Sequence, residues 1–179
     1  SQQDLGNPNS FYFFTANSGK GILRGFEAEF AYKFSKFLST SSSIGFLDTH
    51  VEKFSYETSS GPSNGGDRNF AMAPRFTGSL GLKYGKEETY LSMNTSYKSS
   101  YYFSDSHDSK SGAYFLSDFA VGRYFGNLNL KFWVNNLFNE KFVTRGFYFG
   151  LIPPNYPEEL WLSYGNPRHL GVTIEYSIN

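Results

Sequence analysis

The 179 residues contain no cysteine. That removes disulfide frameworks, cysteine-ligated zinc and thiol nucleophiles, and it suits an oxidising compartment where a stray thiol is a hazard. An excess of one charge is missing as well, because 16 Lys and Arg face 16 Asp and Glu. The balance gives no overall electrostatic case for nucleic acid or an anionic surface. No apolar run approaches the roughly 18 residues that a transmembrane helix needs. The opening SQQDLGNPNS has neither a basic segment nor an apolar one, so no signal peptide is expected there.

Aromatic residues and glycine are abundant: 20% of the chain is aromatic, with 20 Phe, 14 Tyr and 18 Gly, while Leu, Ile and Val are comparatively sparse. Together with many Ser, Thr and Asn this is poor helix material and good strand-and-turn material. Period-2 alternation follows. Phe26, Ala28, Phe30 and Tyr32 oppose Glu27, Glu29 and Lys33; Phe76, Leu80, Leu82 and Tyr84 oppose Thr77, Ser79 and Lys83. Leu91, Met93, Thr95, Tyr97 and Tyr101 oppose Ser92, Asn94, Ser96 and Lys98. Leu128, Leu130, Phe132 and Val134 oppose Asn129, Lys131, Trp133 and Asn135, and Leu170, Val172 and Ile174 oppose Thr173 and Glu175. SIGFLDTHVEKF and AYFLSDFAVGRYF alternate less cleanly, the first with room for a bulge, and SFYFFTA is a short opening strand.

The connections alternate in length. Short turns are expected near Ser35–Thr40, Gly85–Glu88 and Phe125–Asn127, and NSGKG reads as a hairpin turn. Long links are expected at Glu57–Asn69, Ser104–Gly112 and Asn139–Gly165. Short turns at one end and long loops at the other describe an all-β, antiparallel, up-and-down barrel wall of about eight strands. Alternation alone does not say which stripe faces out. A soluble lipocalin-type carrier hides its apolar stripe in the lumen, whereas a membrane barrel turns it to lipid. Aromatics at strand ends (Tyr32, Phe34, Tyr84, Tyr101, Tyr102, Tyr124 and Phe125) read as two girdles at membrane interfaces.

Four segments resemble TonB-dependent outer-membrane receptors, in the expected order: RGFEAEF (Arg24–Phe30), MAPRFTGSLGLKY (Met72–Tyr84), VNNLFNEKF (Val134–Phe142) and YGNPRHLGVTIEYSI (Tyr164–Ile178). The resemblance implies a transmembrane wall of about eight strands belonging to a larger 22-strand barrel. Residues 1–179 would be its C-terminal portion, with the plug domain and N-terminal strands absent. It further implies a non-enzymatic transporter in the outer membrane of a Gram-negative bacterium, surrounded by the lipid bilayer. Such a receptor takes up a ferric siderophore or another small ligand (haem, cobalamin or a glycan), energised by TonB through the plug. Family barrels usually end on an aromatic residue; here Ile178 holds that register and Asn179 follows. A complete eight-stranded barrel with a structural or adhesive role is the alternative within the membrane class.

No cofactor, metal or catalytic residue is expected. His107 lies beside Asp105 and Asp108, yet the spacing matches no standard ligand set. NSGKG lacks the first glycine and the hydroxyl residue of a phosphate loop. Glu27 and Glu29 share a strand face, roughly 6.6–7 Å apart by strand rise, and a hydrated lumen accounts for them. The segment Thr144–Tyr164 supplies the ligand-binding candidates Arg145, Phe147, Tyr148, Tyr156 and Trp161, among the prolines Pro153, Pro154 and Pro157. A guanidinium among aromatics suits anionic, aromatic iron chelates through charge pairing and stacking.

Overall fold

The computed structural model describes residues 2–4, 7–12, 19–58, 61–86 and 88–178. Thirteen strands are present among them: β1 (Gln2–Asp4), β2 (Asn7–Tyr12), β3 (Gly21–Lys33), β4 (Leu38–Val51), β5 (Phe54–Thr58), β6 (Gly61–Gly65), β7 (Phe76–Lys86), β8 (Thr89–Lys98), β9 (Tyr114–Phe125), β10 (Leu128–Asn135), β11 (Val143–Phe149), β12 (Glu159–Tyr164) and β13 (His169–Tyr176). Seven form one antiparallel sheet in the order β13-β10-β9-β8-β7-β4-β3; β1-β2, β5-β6 and β11-β12 are separate two-stranded pairs. The sheet does not close on itself, since β3 and β13 are its two edges. It is a wall, not a complete barrel.

The registers place every alternating apolar set on one face. Phe26 opposes Phe46, and Phe46 opposes Phe76. Leu82 opposes Met93, Met93 opposes Phe119, Phe132 opposes Val121, and Val172 opposes Phe132. The other face carries Glu27, Glu29, Lys33, Lys83, Asn94, Asp118, Lys131 and Glu175. Exposure decides what surrounds this sheet. Leu80, Phe132 and Ile174 are 51%, 40% and 68% exposed. The buried hydrophobic residues among those described are Val51, Tyr101, Phe103 and Tyr114, all at the long-loop edge. With no apolar core behind it, the oily face needs an apolar partner outside these strands. Three hydroxyls on that face are spent inside the sheet: Thr95 and Ser117 bond to each other at 2.9 Å, and Thr40 donates to the carbonyl of Gly81 at 2.9 Å. Hydrocarbon surroundings demand such internal satisfaction.

The polar face is cross-linked by side chains. Tyr90 Oη donates to Asn129 Oδ1 at 3.2 Å, Asn129 Nδ2 donates to Glu175 Oε2 at 2.9 Å, and Trp133 Nε1 donates to Thr173 at 3.1 Å. Aromatic rings cover the bare backbone of glycines directly across the ladder: the Tyr90 ring lies over Gly122, and the Trp133 ring over Gly171. A ring in that position shields the exposed peptide and pins the register.

Several local expectations change. The turn expected near Ser35–Thr40 is present but ends earlier: residues 34–37 link β3 to β4, and Leu38–Thr40 already belong to β4, whose Ser39, Ser41 and Ser43 line the polar face, with the Ser43 and Ser79 hydroxyls 2.7 Å apart. The β4 ladders with β3 and β7 carry no bulge. The link Asn139–Gly165 contains the β11–β12 hairpin, and the link after β4 contains β5–β6. The Phe125–Asn127 link is a two-residue turn in which Gly126 adopts φ +60°, a conformation open to glycine without steric cost. Of SFYFFTA, Ser10–Tyr12 falls in β2, which pairs with β1 rather than with the wall; residues 13–16, and Asn17, Ser18 and Asn179, lie outside the described residues.

The girdles are also redistributed. Tyr32, Phe34, Tyr84 and Phe125 stand exposed near the short turns, as expected. Tyr101 is instead buried under the loops, Tyr102 belongs to the long-loop link, and Tyr124 faces Tyr90 on the polar side with ring centroids 5.6 Å apart. The aromatic row at the long-loop edge consists of Phe26, Phe46, Phe76, Tyr97 and Phe115, with neighbouring centroids 5.8, 5.1 and 4.6 Å apart for Phe26–Phe46, Phe46–Phe76 and Tyr97–Phe115. The strand register, which a linear reading misses, decides which ring joins the row.

Candidate functional site

The long-loop edge carries the candidate site. Its base is the stretch Val134–Phe142, where β10 ends. Asn136 is buried, takes φ +51°, and ties the end of β10 to β9 and to the approach to β13. Its backbone N–H donates to Asp118 of β9 at 2.9 Å. Its amide donates to the carbonyls of Glu140 at 2.9 Å and Asn166 at 3.1 Å, and its oxygen accepts the Glu140 N–H at 2.8 Å. Asn139, at φ +55°, accepts the Arg168 N–H at 2.9 Å just before β13. Asparagine tolerates the left-handed region and supplies side-chain donors and acceptors where a strand ladder stops. These asparagines are therefore the rivet that holds the exit of β10 to the entrance of β13.

Above that base stands the β11–β12 hairpin. Phe147 is directly opposite Trp161, Arg145 opposite Ser163, and Tyr148 opposite Leu160. Alternation along a hairpin puts Arg145, Phe147 and Trp161 on one face and Gly146 and Tyr148 on the other. Phe147 is 43% exposed, and Arg145 is exposed with no carboxylate within 4.0 Å among the described residues. Trp161 is held by its indole N–H, which donates to the Phe149 carbonyl at 2.9 Å. The Gly146–Tyr148 face is packed against the link between β8 and β9. The Phe103 ring covers Gly146, the Tyr148 ring stacks on His107 at 4.2 Å, and the Tyr148 and Ser109 hydroxyls are 2.5 Å apart. Tyr156 lies at the hairpin tip, exposed, at φ +46°. Three of the five candidates thus come together, Tyr148 serves as an anchor, and Tyr156 stands apart.

A second anchor escaped sequence reading. Tyr101 donates its hydroxyl to the Thr144 carbonyl at 3.0 Å, and its backbone N–H donates to the Ser111 hydroxyl at 3.2 Å. Burial pushes the Tyr101 phenol above its ordinary value; Tyr114 beside it adds to the rise and Lys98 opposes it. A tyrosine in the SYKSSYYF run carries no local mark of this role, since its partners come from residues ten and more than forty positions away.

The triplet Asp105, His107 and Asp108 does not converge. Asp105 accepts the Ala71 N–H at 2.7 Å, Asp108 pairs with Arg68, and His107 stacks on Tyr148. No group of three or more His, Cys, Asp or Glu suited to a metal ion occurs among the described residues. His50 lies 3.9 Å from Asp67, and His169 bonds to Asn135 and to the Pro167 carbonyl. Glu27 and Glu29 sit on the polar face of β3 opposite Gly45 and Ser43.

The family model described as "TonB dependent receptor-like, beta-barrel" matches residues 1–137. No curated protein matches the sequence. Among solved structures, the siderophore receptor PiuA from Acinetobacter baumannii superposes with a TM-score of 0.74 at 13% identity, covering 88% of this chain and 22% of that one. The ferric yersiniabactin uptake receptor FyuA from Yersinia pestis gives 0.71 at 15% identity, covering 89% and 24%. The ferric citrate transporter FecA in its unliganded form gives 0.66 at 18% identity, covering 88% and 24%. The chain therefore spans under a quarter of the length of these receptors.

Proposed function

The chain belongs to the TonB-dependent receptor β-barrel family, and from that premise we propose that it is the C-terminal part of the barrel of a receptor that imports a ferric siderophore or a similarly scarce nutrient. Members of this family are transporters in Gram-negative outer membranes, not enzymes. The observation that carries the reading is the exposed apolar face, on which Thr40, Thr95 and Ser117 satisfy their hydroxyls inside the sheet, as contact with lipid requires. In this orientation the short turns point to the periplasm and the long loops to the outside. TonB would act through the plug domain rather than through these wall strands.

The hairpin supports the choice of ligand class. Among the described residues Arg145 has no ion-pair partner, and it shares a face with Phe147 and Trp161, so that face offers a cation and two aromatic surfaces to an anionic, aromatic chelate. The three solved relatives are named for siderophore, ferric yersiniabactin and ferric citrate uptake. The test uses the full-length receptor in detergent with Trp133→Phe, so that within this segment Trp161 alone reports. Ferric catecholate or hydroxamate chelates should quench it, and Arg145→Gln or Trp161→Ala should weaken binding about ten-fold or more. Binding of cobalamin or an oligosaccharide in place of every ferric chelate would reassign the cargo.

A further inference from the structure

We propose that a groove at the long-loop rim of the apolar face, between Arg75 and Lys110, holds the phosphate of a membrane lipid headgroup. The inference rests on the membrane orientation argued above. Arg75 immediately precedes β7, and its guanidinium lies over the rings of Phe46 at 5.3 Å and Phe76 at 6.0 Å. Those rings belong to the aromatic row that marks the upper limit of the oily face. Lys110 sits 4.1 Å above the Tyr102 ring. Both cations line one groove of about 240 Å³, together with Ser99, Ser100 and Asn69 and no carboxylate.

Asp67, two residues from Asn69, is exposed and lies 3.9 Å from His50, and three further acids are committed. Asp48 pairs with Arg24, Asp108 with Arg68, and Asp105 accepts the Ala71 N–H. Among the described residues, no carboxylate lies within 4.0 Å of Arg75 or Lys110. Ser99 Oγ accepts the Phe76 N–H, which leaves its own hydroxyl hydrogen to donate. The overall charge balance of the chain thus conceals a local surplus of two positive charges where the apolar band ends. The Phe46 and Phe76 rings hold the Arg75 guanidinium at this edge, and no described carboxylate takes up its donors, so it can fork a phosphate. A lipid whose acyl chains lie along Phe76 and Leu80 brings its phosphate to this height, so charge complementarity and continuity with the lipid face name the same occupant.

The full-length receptor in neutral detergent, titrated with phosphatidic acid, phosphatidylcholine or inorganic phosphate and read by native mass spectrometry, tests this. Phosphatidic acid should bind in preference to phosphatidylcholine. The double substitution Arg75→Gln/Lys110→Gln should weaken that binding about thirty-fold, about five-fold for each cation. Inorganic phosphate should compete poorly; competition at equal concentration would make free phosphate the occupant and overturn the lipid assignment. Equal binding of the two lipids, or no effect of the double substitution on a receptor that inserts into vesicles, would also overturn it. A receptor that fails to insert at all would instead sink the membrane orientation itself.

Discussion

Replacing Asn136 should loosen the base of the candidate site far more than a surface substitution would. Three side-chain hydrogen bonds are lost: two donated by its amide and one accepted by its oxygen, with lengths of 2.9, 3.1 and 2.8 Å. At about 1 kcal/mol net for each, Asn136→Gly should cost about 3 kcal/mol, because glycine keeps the φ of +51° without steric penalty. Asn136→Ala should cost about 1 kcal/mol more, because alanine pays for the left-handed backbone. The effect is local, so the assay is amide hydrogen exchange on the full-length receptor, followed at Leu137–Phe142 and Gly165–His169. Local opening should become more than a hundred-fold more frequent in Asn136→Gly, and about five-fold more again in Asn136→Ala. Acceleration below ten-fold in both variants would show that the amide does not hold the two strands together. Identical rates in the two variants would remove the backbone part of the reasoning.

Two further outcomes are expected. Leu80→Lys, on the exposed apolar face, should destabilise the barrel by about 2–4 kcal/mol in lipid if it lies near the midplane, whereas Ser96→Lys on the polar face should change it by under about 1 kcal/mol; urea unfolding in vesicles compares them. Equal costs would contradict the assignment of the faces. The raised Tyr101 phenol means that the folded state resists losing that proton, so its contribution is present below the ordinary phenol value of 10.0 and declines as pH rises above it. Exchange at Thr144–Tyr148 should therefore accelerate as pH climbs past that value beyond the intrinsic rise, and Tyr101→Phe should abolish the extra component; an unchanged profile in the variant would exclude Tyr101 as its source.

Much of the wall was legible because its evidence is local. The alternation Phe26, Ala28, Phe30 against Glu27 and Glu29 is written along one strand, and β3 carries it in register with β4. The Gly126–Asn127 turn is likewise readable from its own residues. The turn near Ser35–Thr40 was read as ending too late, because small polar residues signal a turn in isolation; only the pairing of Leu38–Thr40 with Leu82–Tyr84 across the ladder shows that β4 has already begun.

At the candidate site the division is sharper. Sequence alone picked out Arg145, Phe147, Tyr148, Tyr156 and Trp161, but cross-strand pairing decided that Phe147 and Trp161 meet while Tyr148 turns to His107. The asparagine-rich end of β10 was visible as an oddity, and its purpose was not, because Asn136 bonds to residues from β9 and from the approach to β13. Periodicity belongs to a single strand and can be read from it. Facing, anchoring and pairing depend on which distant strand lies 5 Å away, roughly the spacing between neighbours in a sheet, and only the assembled wall determines that.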